Sequence, residues 1–324
     1  QKIPSATEAD ADANTLLKAA GAIAQLCKPD ETGTPLAAVV LRTASYYLGR
    51  ATPHPDKALE WLGQLLPATL DREPRQMTLP DGKTVMQASQ REQYYGLRIK
   101  ALYLRGSYTD CAGVCREALE ALPTFHYDND LWFRRYLAQS LLRTDEAGEA
   151  RGLYAYILPR KRAWFLLKEA GDVCAALGEQ KMADYFHLSA AVECGEPDKA
   201  VKLLEILAER CWAKEQADMA RLHVLAAGRW RKERGWNIPL SLAELADRCG
   251  MEEVEWEAPH QLREDWRLLQ RGWEDGLDGI LPPRQGRISR MMPGNRAGFV
   301  QCGADGASRS EERRVGKEGR SRWS

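Results

Sequence analysis

Gly106-Ser107-Tyr108-Thr109-Asp110-Cys111-Ala112-Gly113-Val114-Cys115-Arg116-Glu117-Ala118-Leu119, closed by Pro123, is the stretch whose reading decides the fold. Cys111, Cys115 and Ala118 stand at steps of four and three, the spacing that puts residues on one face of an α-helix. The order small, larger, small returns with variations as Ala150, Tyr154 and Ile157, as Ala183, His187 and Ala190, and as Ala220, Val224 and Ala227. The first members of these sets are 39, 33 and 37 residues apart. Twelve residues before each of them sits Ile99, Ala138, Gly171 or Ala208. A unit of this kind cannot bury its apolar face alone, so neighbours must stack.

The run resembles the second half of a tetratricopeptide unit, a repeat of about 34 residues. In that family the small, larger and small positions line the contact between paired helices. The resemblance implies a mainly α protein, an α-solenoid of helical hairpins. A second set of residues narrows it: Phe125-His126-Tyr127-Asp128-Asn129-Asp130-Leu131-Trp132-Phe133, then Lys161-Arg162-Ala163-Trp164-Phe165. These are similar to a bacterial tetratricopeptide-like family of unknown function, over roughly Ser89 to Pro239. Members of that family are sometimes joined to cold-shock-like domains and suspected of roles in stress or conflict systems.

The chain of 324 residues is long enough for two or three domains. No apolar run approaches the ~18 residues that cross a membrane. No basic segment followed by an apolar core marks a signal peptide. The chain begins at Gln1 rather than Met, which leaves its natural start open. Eight cysteines are scattered without a Cys-x-x-Cys pair. They read as small core residues in a reducing cytoplasm. The formal net charge is zero. However, the tail Arg309–Ser324 resembles the conceptual translation of a short-read sequencing adapter, and we read it as non-native and disordered. It carries six basic and three acidic residues; without it 40 basic residues face 43 acidic ones.

Taken in order, residues 1–70 read as N-terminal helices, a possible divergent repeat. They comprise Ala11 to Cys27, a helix capped by Thr34 with Pro35 at its first position, and Asp56 to about Leu66. Ala58, Leu62 and Leu65 repeat the packing spacing. Residues 71–88 are an insertion. The alternating apolar residues around Asp81-Gly82 predict a small β-hairpin at about 76–87. Ser89 caps the next helix, and 89–239 hold the helical repeats. Arg229, Arg231, Lys232 and Arg234 form a basic helix end that complements the helix dipole. Residues 240–280 are capping helices. Ser241 to Met251 has a helix-turn-helix flavour, but the acidic run Glu252-Glu253-Val254-Glu255-Trp256-Glu257 would face phosphates and argues against DNA. Leu262, Trp266, Leu269 and Trp273 mark an amphipathic helix. After the linker Leu281-Pro282-Pro283, Gly286, Ile288, Gly298, Phe299, Val300, Asp305 and Gly306 match the opening strands of a cold-shock OB barrel. Residues 281–308 thus resemble a truncated, partial β segment of that family. The resemblance makes Arg287, Arg290, Arg296 and Phe299 candidates for RNA or single-stranded DNA. Family aromatics are replaced here by Ala297, Arg290 and Met291, and each lost stacking base is worth ~1–3 kcal/mol.

No catalytic constellation stands out, and no cofactor is implied. His54, His126, His187, His223 and His260 share no metal spacing, and His187 reads as a core histidine. In tetratricopeptide proteins the first helix of each pair lines a groove. That carries Lys100, Tyr103, Arg135, Gln139, Arg143 and Lys168 toward a peptide partner. Arg135 with Gln139 four residues on resembles part of a carboxylate-gripping arrangement. Asp128 and Asp130 read as helix caps. The expected function is a non-catalytic cytoplasmic scaffold for a protein or peptide partner. The competing reading is a nucleic-acid-binding regulator whose helices mediate oligomerisation.

Overall fold

The computed structural model describes residues 6–28, 35–78, 82–257 and 261–280, with the backbone of three strands at 286–291, 297–302 and 311–314. The protein is mainly helical, with thirteen α-helices among the described residues and a small two-stranded antiparallel sheet. The chain divides into two compact units, Gln1–Glu193 and Cys194–Ser324. The division falls inside the 89–239 stretch.

The first unit holds α1 (Ala6–Leu26), α2 (Leu36–Gly49), α3 (Pro55–Leu62), the strands β1 (Arg75–Thr78) and β2 (Thr84–Gln87), then α4 (Gln90–Arg105), α5 (Tyr108–Ala121), α6 (Asn129–Arg143), α7 (Ala147–Ile157), α8 (Trp164–Ala176) and α9 (Gln180–Glu193). From α4 to α9 each helix packs on the next, and α4, α6 and α8 also touch in turn. Ile99, Cys111, Cys115, Ala118, Ala138, Ala150, Ala183 and Ala190 are fully buried, and Tyr154, Ile157 and His187 nearly so. Gly171 is required by close approach, because a Cβ there would lie 2.4 Å from the His187 ring.

Helix ends follow local chemistry. Ser89 accepts a hydrogen bond from Glu92 N at 3.1 Å, an N-cap that opens α4. At the far end Gly106 takes φ 84, donates to Tyr103 O, and leaves Ser107 N to reach Leu102 O. This left-handed stop recurs at Asp145 (φ 61), where Glu146 N returns to Leu141 O, and at Gly178 (φ 73). All three precede the small packing residues Cys111, Ala150 and Ala183 by five positions. The turn is therefore repeated even where glycine is not.

Some boundaries move. α1 begins at Ala6, earlier than expected, and the Thr34 cap lies outside the described residues. α3 stops at Leu62, four residues short of the expected end, because Leu66 precedes Pro67 and is held extended (φ −96, ψ 114). Asp128 occupies the N-cap position of α6 in a left-handed conformation, but its side chain makes no cap bond. It pairs instead with Lys161, and Asp130 with Arg134. β1 and β2 pair antiparallel, Arg75 opposite Gln87 and Thr78 opposite Thr84. Their Asp81 turn residue lies outside the description.

The second unit holds α10 (Val201–Ala213), α11 (Ala217–Glu233), α12 (Leu240–Arg248) and α13 (Leu262–Ile280). It also holds the antiparallel strands β3 (Gly286–Met291), β4 (Ala297–Cys302) and β5 (Glu311–Arg314), in spatial order β3-β4-β5. Ala208, Ala220, Val224 and Ala227 are fully buried. The left-handed stop appears again at Glu215 (φ 60), five residues before Ala220. Trp256, inside the acidic run, is a core residue seated on Gly228, where a Cβ would lie 2.3 Å from its indole nitrogen. Arg231 and Lys232 do stand in the last turn of α11, and the basic end of this helix also reaches named acceptors. Arg229 reaches Asp265 at 2.6 Å, Arg231 reaches Glu205 at 2.5 Å, and Arg234 reaches Asp198 at 2.7 Å. β5 lies in the tail expected to be disordered; it fills the otherwise open edge of β4. Arg296, the linker 281–283, Asp305 and Gly306 lie outside the described residues.

Candidate functional site

The first helices of the pairs in the first unit, α4, α6 and α8, carry all six expected groove residues. Helical spacing aligns Lys100 with Tyr103, Arg135 with Gln139 and Arg143, and Lys168 with Asp172. The structure links four of them, Tyr103, Arg135, Gln139 and Lys168, into two hydrogen-bonded chains.

In the first chain, Tyr103 Oη donates to Gln139 Oε1 at a long 3.4 Å, and Gln139 Nε2 donates to Tyr154 Oη at 2.8 Å. Tyr154 in turn donates to Glu169 Oε2 at 2.9 Å. Arg135 closes the chain, with Nε 2.8 Å from Oε2 and Nη2 2.5 Å from Oε1 of Glu169. This is the two-pronged guanidinium–carboxylate pair of high specificity. The side chains are 27% and 11% exposed. Burial works against the Arg135 charge, but the Glu169 bonds outweigh it and raise the guanidinium pKa. Burial, then the Glu169 charge, pushes the Tyr154 phenol well above its usual range. The guanidinium also lies 5.2 Å from the centre of Phe165, which stacks on Trp132 at 6.3 Å.

In the second chain, Lys168 Nζ is 2.6 Å from Asp172 Oδ2, and Asp172 Oδ1 is 3.1 Å from His187 Nε2. Burial raises the Asp172 carboxyl pKa, yet the His187 bond and the Lys168 charge bring it below the usual value. His187 Nδ1 is buried without a partner among the described residues.

The expected carboxylate-gripping pair is therefore already occupied: Arg135 holds a carboxylate supplied by the chain itself, 34 residues later. Lys168 is likewise neutralised. Lys100 and Arg143 differ. Neither has a carboxylate partner among the described residues, and Arg143 lies 6.0 Å from the Tyr108 ring. The Tyr103 ring lies 5.2 Å from Tyr136 and 5.6 Å from Tyr108. Glu169, Asp172 and Tyr154 were not singled out as site residues from sequence.

The same interval organises other polar contacts in this unit. Glu92, 1% exposed, accepts from His126 N, 2.7 Å away and 34 residues on, and from Asn129 Nδ2 at 2.8 Å. Arg116 pairs with Glu149 33 residues on, and Lys161 with Asp128 at the same interval. The Phe125–Phe133 segment is thus tied to the start of α4, and exposed Tyr127 donates its hydroxyl to the Met86 carbonyl of the hairpin.

Arg290 and Phe299 are cross-strand partners in the register of β3 and β4, and Arg287 opposes Gln301. Among the described residues no group of three or more His, Cys, Asp or Glu is arranged to hold a metal ion. No described helix is long and apolar enough to cross a membrane. Comparison with protein-family models, with curated proteins and with solved structures finds no match.

Proposed function

We propose that the chain is a non-catalytic, cytoplasmic scaffold of tetratricopeptide type, a solenoid of helical hairpins, that binds an acidic peptide segment of a protein partner on its α4–α6 face. The observation that carries this reading is the pair Lys100 and Arg143. Lys100 stands three residues before Tyr103 on α4, Arg143 lies 6.0 Å from the Tyr108 ring, and neither has a carboxylate partner among the described residues. Half-buried tyrosines beside two uncommitted cations suit a peptide carboxylate, with the ring faces giving area and the cations giving sign. Arg135, Gln139 and Lys168 serve as the frame that holds this face rather than as its gripping groups.

Affinity capture from cells of the source organism tests the assignment. The Lys100→Glu/Arg143→Glu chain should lose the partner that the wild type retains, with an unchanged helical circular dichroism spectrum. Equal capture by both proteins sinks it.

A second reading is favoured by the cross-strand placement of Arg290 and Phe299. A cation opposite an aromatic on adjacent strands is an arrangement suited to a single strand of RNA or DNA. In that reading the chain is a nucleic-acid-binding regulator and its helices mediate oligomerisation. Binding of a fluorescent oligouridylate, falling steeply with added salt, supports it; absence of binding at low salt removes it.

A further inference from the structure

We propose that Arg91 and Arg72, where the 67–72 segment meets the first turn of α4, bind a phosphate dianion, free or at the end of a phosphate ester. Arg91 is only 5% exposed, yet no carboxylate among the described residues pairs with it. Other buried charges are matched: Arg229 has Asp265 at 2.6 Å, Glu169 has Arg135, and Glu92 has His126 Nδ1 at 3.0 Å and Asn129. A guanidinium keeps its proton at any ordinary pH, so burial leaves a charge that needs compensation. Arg91 Nη2 donates to Ala68 O at 2.6 Å, and Nε is buried with no acceptor among the described residues. One carbonyl dipole does not balance a full buried charge.

The backbone brings a second cation to the same place. Arg91 N donates to Asp71 O at 3.1 Å, which sets Arg72 one peptide away. Arg72 is exposed and has no partner among the described residues. Burial, then the Arg72 charge, lowers the Arg91 pKa, with the Tyr95 phenol opposing. The nearby carboxylates are turned to other groups: Asp71 to Arg75, Glu92 to His126, and Glu117 to Tyr95 Oη at 2.8 Å. Glu73 is exposed beside Arg72 in the chain. Two like charges held together repel, and an anion between them favours both. Arg91 Nη1 is neither bonded nor one of the buried unbonded atoms, so it is the nitrogen that solvent and a ligand reach. Guanidinium forks match phosphate oxygens, and two of them favour a dianion over a single charge. The site lies at the opposite end of α4 from Tyr103, and neither proposal depends on the other.

Calorimetric titration of the full chain with sodium phosphate tests the proposal, at about pH 8 where phosphate is a dianion and with ionic strength held constant by sodium chloride. Acetate is the single-charge control. Two variants accompany the wild type: Arg91→Met removes the buried charge, and Arg72→Gln removes the exposed one without touching the core. The expected result is phosphate binding to the wild type with Kd of about 1 mM or tighter, at least about tenfold weaker in each variant and for acetate. Methyl phosphate, titrated in parallel, tells the two sources apart: binding as tight as that of the free ion supports an ester, and much weaker binding supports the free ion. A circular dichroism melt of each variant separates lost binding from lost fold. Absence of binding by both phosphates at about 10 mM overturns the proposal. So does binding that survives either substitution in a folded chain, or acetate binding as tightly as phosphate.

Discussion

Substituting Glu169→Gln tests whether Arg135 belongs to the frame rather than to a free gripping surface. Glutamine keeps the size and one carbonyl acceptor, so Tyr154 can still donate. It removes the charge and one of the acceptors that receive Arg135. Breaking a buried pair by removing one partner costs about 3–5 kcal/mol. Arg135 retains 27% side-chain exposure, so solvent relieves part of that cost. The remaining glutamine carbonyl relieves more, which leaves about 2 kcal/mol. For a unit of 193 residues, that corresponds to a fall of about 4–8 °C in its thermal midpoint. Calorimetry of the wild type, Glu169→Gln, Arg135→Met and the double variant measures it. The double variant should lose at least about 1 kcal/mol less than the sum of the singles. A loss below about 0.5 kcal/mol for Glu169→Gln, or strict additivity, would refute the frame assignment.

Further outcomes follow from the geometry. His223 is buried, with Nδ1 2.7 Å from Met219 O and Nε2 accepting from Trp273 Nε1 at 2.8 Å. Burial pulls its pKa down from 6.5 to about 4, against the opposing Met219 bond. The unfolded chain gains this proton as pH falls through about 6.5, while the folded chain resists until about 4. The stability is thus present above that window and about 3 kcal/mol is lost across it on acidification. Denaturant midpoints at pH 7 and 4.5 should fall more for the wild type than for His223→Gln; parallel declines contradict the assignment. Gly228→Ala drives a methyl into Trp256 and should cost about 1–3 kcal/mol by urea unfolding; a neutral result would mean the indole moves freely. Glu215→Gly should stabilise the chain by about 0.5 kcal/mol, since the left-handed turn strains a side chain that has no hydrogen bond among the described residues. A destabilised variant would show that the turn carries no strain.

The helical pairs were legible because packing repeats at short range. Cys111, Ala150, Ala183 and Ala220 declare themselves by size and spacing, and all four are fully buried. The hairpin was legible from its turn and alternation. The site was less so. Arg135 reads as a free cation on an exposed face until Glu169, on α8, is placed beside it. The same holds for Arg229, whose partner Asp265 is 36 residues away. Charge pairing between helices distant in sequence depends on how those helices are turned toward each other, which composition does not record. Asp145 and Glu215 hide a glycine-like turn because the surrounding helices, not the residue, impose it.

Zero-length carbodiimide cross-linking of any captured partner, read by mass spectrometry, tests the proposed partner-binding face with least inference. Lys100 should be joined to an aspartate, glutamate or C-terminal carboxylate of that partner. Cross-links confined to other lysines, with none at Lys100, would place the partner elsewhere and contradict the account.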